Sequence, residues 1–148
     1  MDFYSMNDIR DYILSQSEIA IRQAQEKIFN IITDVIRQFY SEFHPSMYER
    51  EEQLYKSLVR TDVKRVNNDW VAEVYFDFTQ MEHTNRNNRN TWSEEKILNT
   101  ALVGEYPHGG YAYATGNTQI WTESVNRVRN RATKALKDAL IDNGILIR

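Results

Sequence analysis

Cysteine is absent from all 148 residues, which excludes disulfides, thiolate zinc ligands, iron–sulfur clusters and a thiol nucleophile. Long apolar runs are absent as well. Nowhere do about 18 uncharged apolar residues follow one another, the length a helix needs to cross a bilayer. The opening Met1-Asp2-Phe3-Tyr4-Ser5-Met6-Asn7-Asp8 has neither the basic start nor the apolar run of a signal peptide. The expectation is a protein made and used in the cytoplasm, or in a particle built there, with no membrane partner. Positive charge is not in excess either: 18 basic against 21 acidic residues give a net charge of −3, far from the footprint of nonspecific nucleic-acid binding.

What is present is 41% hydrophobic and 12% aromatic, too apolar for a disordered chain. The length suits one domain, residues 1–148, able to bury roughly two thirds of its unfolded surface. No internal repeat and no linker-like shift in composition divides it.

Hydrophobic periodicity predicts a long amphipathic helix from Ser15 to Phe43, with Ile21, Ile28, Ile32, Val35, Phe39 and Phe43 at helical steps. Ser15-Gln16-Ser17-Glu18 has the spacing of a capping box, and Pro45 ends the helix. A shorter helix, Asn7 to Leu14, is expected before it, and a helical turn over Tyr48 to Tyr55 after it. The period then changes to two. Trp70, Ala72, Val74, Phe76 and Phe78 alternate with Val71, Glu73, Tyr75, Asp77 and Thr79, the pattern of a strand with one buried face. The run from Leu58 to Val66 puts Val59, Thr61 and Val63 on one side. A two-residue turn at Asn67-Asn68 would pair Val63 with Ala72, Thr61 with Val74 and Val59 with Phe76, bringing both apolar faces together.

Asn85-Arg86-Asn87-Asn88-Arg89-Asn90 has no apolar period and reads as a loop. Thr91-Trp92-Ser93-Glu94 introduces a short helix to about Leu102. Four of the five glycines fall between Gly104 and Gly116, an irregular connection. The helical period returns from Asn117, with Trp121, Val125, Val128, Ala132, Leu136 and Ala139 on one stripe, until Asn143-Gly144 stops it. Ile145-Leu146-Ile147 is read either as an edge strand or as docked apolar side chains. The fold class expected is α+β: a long N-terminal helix and a C-terminal helix packed on one face of an antiparallel sheet with a central hairpin.

No catalytic or metal-binding constellation emerges. His44, His83 and His108 lie in separate segments without a ligand spacing such as H-x-x-x-H. Glu49, Glu51 and Glu52 are neighbours in sequence, which does not supply the two differing carboxylates across a cleft that a glycosidase requires. His108-Gly109-Gly110 lacks both a nucleophile elbow and a Walker lysine. Carboxylates such as Asp62 or Asp77, which a nuclease or hydrolase could use, are explained by strand alternation as outward residues. Arg127, Arg129 and Arg131 do not share one helix face, so a solvated flank with local ion pairs is favoured over a phosphate site. No metal and no cofactor are expected, and an assembly or binding role is favoured over an enzyme. The candidate interface residues are Arg86 and Arg89 in the Asn/Arg loop, and Tyr106, His108, Tyr111 and Tyr113 in the glycine-rich loop, since tyrosine offers contact area at small entropic cost. Burial of those tyrosines in the chain's own core is the competing reading.

Several strings resemble the tail-completion or head–tail joining proteins of long-tailed bacteriophages. They are Tyr40, Phe43, Pro45, Tyr48, Arg50, Leu54 and Ser57 after a long first helix, then a hairpin of the type Thr61-Asp62-Val63 to Val74-Tyr75-Phe76. Gly104, His108-Gly109-Gly110, Trp121 and a closing Leu140-Ile141-Asp142-Asn143-Gly144-Ile145 follow. The resemblance runs from about Ile19 to the end. It implies a homo-oligomeric ring in the virion neck, assembled in the host cytoplasm, joining the phage connector to the tail-tube proteins, with DNA passing through without specific binding. A head-to-tail ring needs two different patches on each subunit. The alternative is a small intracellular binding protein, such as a phage-encoded inhibitor of a host protein. Mild acidity suits a conduit, because like charge suppresses phosphate contacts. In a mobility-shift titration at low salt the chain is therefore expected to leave duplex DNA unshifted, and tight binding would count against that reading.

Overall fold

The computed structural model describes residues 4–42, 53–77, 79 and 120–145. Its first element, α1, is one unbroken helix over Met6–Glu42, where the capping-box spacing predicts a start at Ser15 and a separate helix over Asn7 to Leu14. The cap that forms is the earlier one. Ser5 Oγ accepts the N–H of Asp8 at 3.2 Å, and Asp8 Oδ2 accepts the N–H of Tyr4 at 3.1 Å, satisfying two N–H groups at the helix start. At the expected start, Ser17 Oγ instead donates to the Ile13 carbonyl, 2.7 Å away, and Glu18 turns forward to Arg22 at 3.0 Å. Both bonds are compatible with a continuous helix, and no proline or glycine interrupts the run. At 1.5 Å per residue α1 is about 55 Å long. Phe43 and Pro45, the expected end, lie outside the described residues, as do Tyr48 to Glu52. The short helix α2 covers Gln53–Ser57.

Four short strands follow: β1 Leu58–Arg60, β2 Lys64–Val66, β3 Asp69–Val71 and β4 Val74–Phe76. They form one hairpin split into two ladders, β2 with β3 and β1 with β4. Near the turn the pairs are Lys64 with Val71, Arg65 with Trp70 and Val66 with Asp69, the register expected for a two-residue turn at Asn67-Asn68. Asn67 takes a φ of +57°, a left-handed conformation that asparagine tolerates better than most side chains.

Beyond the turn the expected pairing is corrected. Leu58 pairs with Phe76, Val59 with Tyr75 and Arg60 with Val74, one residue away from Val59 with Phe76 and Thr61 with Val74. Thr61, Asp62 and Val63 stand opposite only Ala72 and Glu73, so the first strand carries one extra residue. That single step inverts the faces of β1. Leu58, not Val59, turns inward beside Phe76, and both are buried.

The register break is held by a side chain from α1. Gln25 is 5% exposed, and its Nε2 donates to the Thr61 carbonyl at 2.8 Å and to the Glu73 carbonyl at 2.9 Å. Thr61 N–H donates to the Glu73 carbonyl at 3.0 Å, and Glu73 N–H donates to Thr61 Oγ1 at 3.0 Å. The backbone N–H and carbonyl of Thr61 and of Glu73, which the interrupted ladder would leave unpaired, thus gain partners.

The last helix, α3, spans Ile120–Asp142 and runs antiparallel to α1. Arg127 Nη2 donates to Gln38 Oε1 near one end of the seam, and Asn143 Nδ2 donates to Gln23 Oε1 near the other, each at 2.8 Å. The seam is lined by small buried residues, Ala20 and Ala24 from α1 and Ser124, Ala135 and Ala139 from α3. Compared with the predicted stripe, the buried centre is turned slightly, with Val125, Val128, Ala132 and Leu136 half-buried at its sides. Asn143-Gly144 stops α3 as expected. Gly144 has φ +78°, its N–H donates to the Ile141 carbonyl at 2.9 Å, and Ile145 N–H donates to the Leu140 carbonyl at 2.8 Å. This is a Schellman motif. Ile145 belongs to no strand.

The core gathers Ile32, Val35 and Ile36 of α1 with Leu58 and Phe76 of the hairpin, and Ile28, Phe29, Val74 and Val128 pack against it. Two long helices therefore lie on the apolar side of an antiparallel hairpin, an α+β arrangement. Replacing Gln25 by leucine keeps the bulk but leaves the Thr61 carbonyl without its donor and the Glu73 carbonyl with the Thr61 N–H alone. Urea unfolding of Gln25→Leu should show a loss of about 1–3 kcal/mol, and a change below about 0.5 kcal/mol would mean that the clamp contributes little.

Candidate functional site

The six candidate interface residues, Arg86, Arg89, Tyr106, His108, Tyr111 and Tyr113, lie outside the described residues, as do His44, His83 and the glutamates Glu49, Glu51 and Glu52. The other candidates are placed. Arg127 is half-buried, with its Nε 2.6 Å from Glu123 Oε1 and its Nη2 on Gln38. Arg129 and Arg131 are exposed and have no ion-pair partner among the described residues. Of the three, only Arg127 has hydrogen-bonded side-chain partners among the described residues. Asp77 accepts both the N–H of Thr79 at 3.1 Å and its hydroxyl at 2.7 Å, which makes it a turn-forming carboxylate. Asp62 is exposed within the register break, while Asp77 lies beyond β4, its N–H bound to the Ser57 carbonyl at 2.7 Å. The structure does not bring the two together. Among the described residues no group of three or more histidines, aspartates and glutamates is placed to hold a metal ion, and no helix is long and apolar enough to cross a membrane.

The described surface carries several exposed apolar side chains; besides Ile19, Val66 and Ile141, they form two sets. At the N-terminal end of α1, Tyr4 is 92% and Met6 79% exposed, with Ile13 46% exposed two turns further on. This end projects beyond the α1–α3 seam: Asn143, just past the end of α3, already bonds Gln23, and Gly144 lies by the Tyr12 hydroxyl, 3.3 Å from where a Cβ would stand. The second place lies towards the C-terminal half of α1, where β1 and β4 pack on Ile32, Val35 and Ile36. There Tyr55 of α2 and Tyr75 of β4 are both about half exposed. Tyr75 was legible as an outward residue from strand alternation. Tyr4 and Met6 were not, because they precede the helix start that the sequence suggests. The Ser5-x-x-Asp8 spacing, which a search for caps upstream of Asn7 would have found, marks the helix start but not their exposure.

Part of the charge on the two helices is neutralised locally. Glu18 pairs with Arg22 and Asp34 with Arg37, each at 3.0 Å, and Lys134 pairs with Asp138 at 2.6 Å. Arg60 lies over the ring of Phe29, 5.5 Å from its centroid, tying the end of β1 to α1 by a cation–π contact.

The sequence profile of the YomN family matches residues 5–143, from the cap of α1 to the end of α3. The chain belongs to the YomN family. This is a family of phage-derived proteins, and membership places the chain among phage-associated proteins. No curated protein and no solved structure matches it significantly. The YomN match spans all the described helices and strands, and of the two exposed apolar groups it leaves out only Tyr4.

Among the described residues, Asp138 carries a lowered pKa. Its hydrogen bond from the Lys134 ammonium, reinforced by the positive charge of that group and of Lys27 and Lys137, holds its pKa below the usual aspartate value. A depressed carboxyl pKa stabilises the fold above the unfolded-state value, and that contribution is lost as pH falls through the folded value. Carbon-detected NMR titration should therefore find Asp138 ionised further into acid than an ordinary aspartate. Lys134→Met should return it towards the usual range, and an unchanged midpoint in that variant would assign the shift to another cause.

Proposed function

We propose that this phage-derived protein is a structural component of the virion at the neck or tail terminus, where identical subunits form a ring joining the head connector to the tail tube. The observation that carries the reading is the separation of the two exposed apolar groups. They lie towards opposite ends of a continuous helix, one around Tyr4 and Met6 and the other around Tyr55 and Tyr75. A head-to-tail ring repeats one contact between two unlike patches and closes when the rotation is right. A rigid helix between the patches fixes that rotation. Phage derivation and a net charge of −3 support the same reading, since the role is geometric and a mildly acidic wall resists adhesion of DNA. On this reading the chain has no catalytic activity and its partners are copies of itself, the connector and the tail tube.

Deleting the gene from a phage that encodes this chain is expected to yield filled heads and separate tails by electron microscopy. The wild-type gene supplied in trans should restore joined particles. The double variant Tyr4→Asp, Met6→Asp should fail to restore them while keeping its melting temperature within a few degrees, because both side chains are exposed. Normal particles from the deleted phage would overturn the proposal, and stoichiometric capture of one host protein by the monomer would favour the inhibitor reading instead.

A further inference from the structure

We infer that the Gln25 clamp divides the hairpin into two parts of unequal stability, and that the distal part, residues 64–71, opens from α1 on its own while the proximal part stays closed. This inference does not rest on the joining role. Three independent features carry it.

The first is the distribution of burial. The proximal strands β1 and β4 place Leu58 and Phe76 in the core with Ile32, Val35 and Ile36. In the distal ladder Lys64, Arg65 and Val66 are all exposed, Asp69 is exposed, and only Trp70 and Val71 are half-buried. Little apolar area opposes detachment of this part, and regions with few buried apolar contacts open at low free energy.

The second is an unsatisfied group. The indole N–H of Trp70 is shut off from water and has no hydrogen-bond acceptor among the described residues. The closed state therefore carries the full desolvation cost of that donor, and opening relieves it by hydration. Trp70 is thus a poor anchor despite its size.

The third is the boundary. Between the two ladders, Thr61, Asp62 and Val63 face Ala72 and Glu73 without regular pairing. On the proximal side of that gap, two bonds from Gln25 and two between Thr61 and Glu73 tie both strands to each other and to α1. An opening that begins at the Asn67-Asn68 turn meets this cluster and stops there. The open form presents the Trp70 ring with a free donor, the kind of group that anchors protein contacts.

Amide hydrogen exchange on the intact chain, followed by NMR under native conditions, tests this directly. Ladder-bonded amides of residues 64–71 should exchange at least about tenfold faster than those of residues 58–60 and 74–76, and their rates should be insensitive to low urea, as local opening requires. Replacing Trp70 by benzothienylalanine keeps the ring shape and substitutes sulfur for N–H. It should slow distal exchange by about fivefold or more, in line with removal of a buried unsatisfied donor, and leave proximal exchange unchanged. A common rate and common urea dependence for both ladders in the natural chain would overturn the inference, as would an isostere that folds but leaves distal exchange unaltered.

Discussion

A single carboxamide from α1, donating to two backbone carbonyls of the hairpin, is the interaction on which the arrangement of the other elements depends. A β-ribbon whose register slips by one residue exposes unpaired backbone groups at the slip, and in contact with a helix those groups lose water as well. Gln25 resolves this from outside the ribbon, with 2.8 and 2.9 Å bonds to Thr61 and Glu73. Because Gln25 is fixed on α1, the same bonds set where along the helix the ribbon sits. Leu58 and Phe76 then reach Ile32, Val35 and Ile36, and the core closes. Asparagine in its place has the same chemistry but is one methylene shorter, so the functional group alone does not satisfy the site.

The second constraint is the size of the residues between the helices. Ala20, Ala24, Ser124, Ala135 and Ala139 are all buried, and small side chains let two helix backbones approach closely. Surface ion pairs such as Glu18 with Arg22 and Lys134 with Asp138 add only a few tenths of a kcal/mol each at exposed positions of this kind. The rigidity of the α1–α3 pair therefore comes from packing. It also has a limit: α3, of 23 residues, covers only part of α1, of 37, and the first turns of α1 continue without a helix beside them among the described residues. A capped start at Ser5 and Asp8 supports them locally.

These details mark where sequence reasoning succeeds. Both long helices, the hairpin, its turn and the glycine stop were readable, because each depends on a repeating period or on one residue with an unusual backbone preference. The near-turn register was readable for the same reason: a two-residue loop fixes it. The far register was not. Alternation in Val59, Thr61 and Val63 on one strand and Val74 and Phe76 on the other is self-consistent, and only the partner Gln25, 36 residues from Thr61 in the chain, makes the inserted residue tolerable. The start of α1 failed for a different reason. Two capping boxes are present, and a local motif carries no information about which one the tertiary structure uses. Helical continuity through Ser15 was decided by the absence of any breaker between Asn7 and Glu18, a weaker signal than a cap and the one that prevailed.

The candidate sites divide along the same line. Arginine spacing on α3 sets Arg129 apart from Arg127 and Arg131, since angular position on a helix follows from residue number. Exposure of Tyr4 and Met6 followed from no local pattern; it depends on how far α3 extends, which is a property of the packed pair. That difference bears on function. If the chain acts through geometry, what matters is the distance between its contact groups, and from Met6 to Ile36 α1 spans about 45 Å. A continuous helix, stiffened along much of that length by an alanine seam and clamped to a hairpin at Gln25, holds such a distance nearly constant. A loop-borne site could adapt to each partner, but it could not impose a repeat angle on successive copies. The rigid element and the exposed ends are therefore parts of one property, and a contact built at one end constrains where the other end can meet its neighbour.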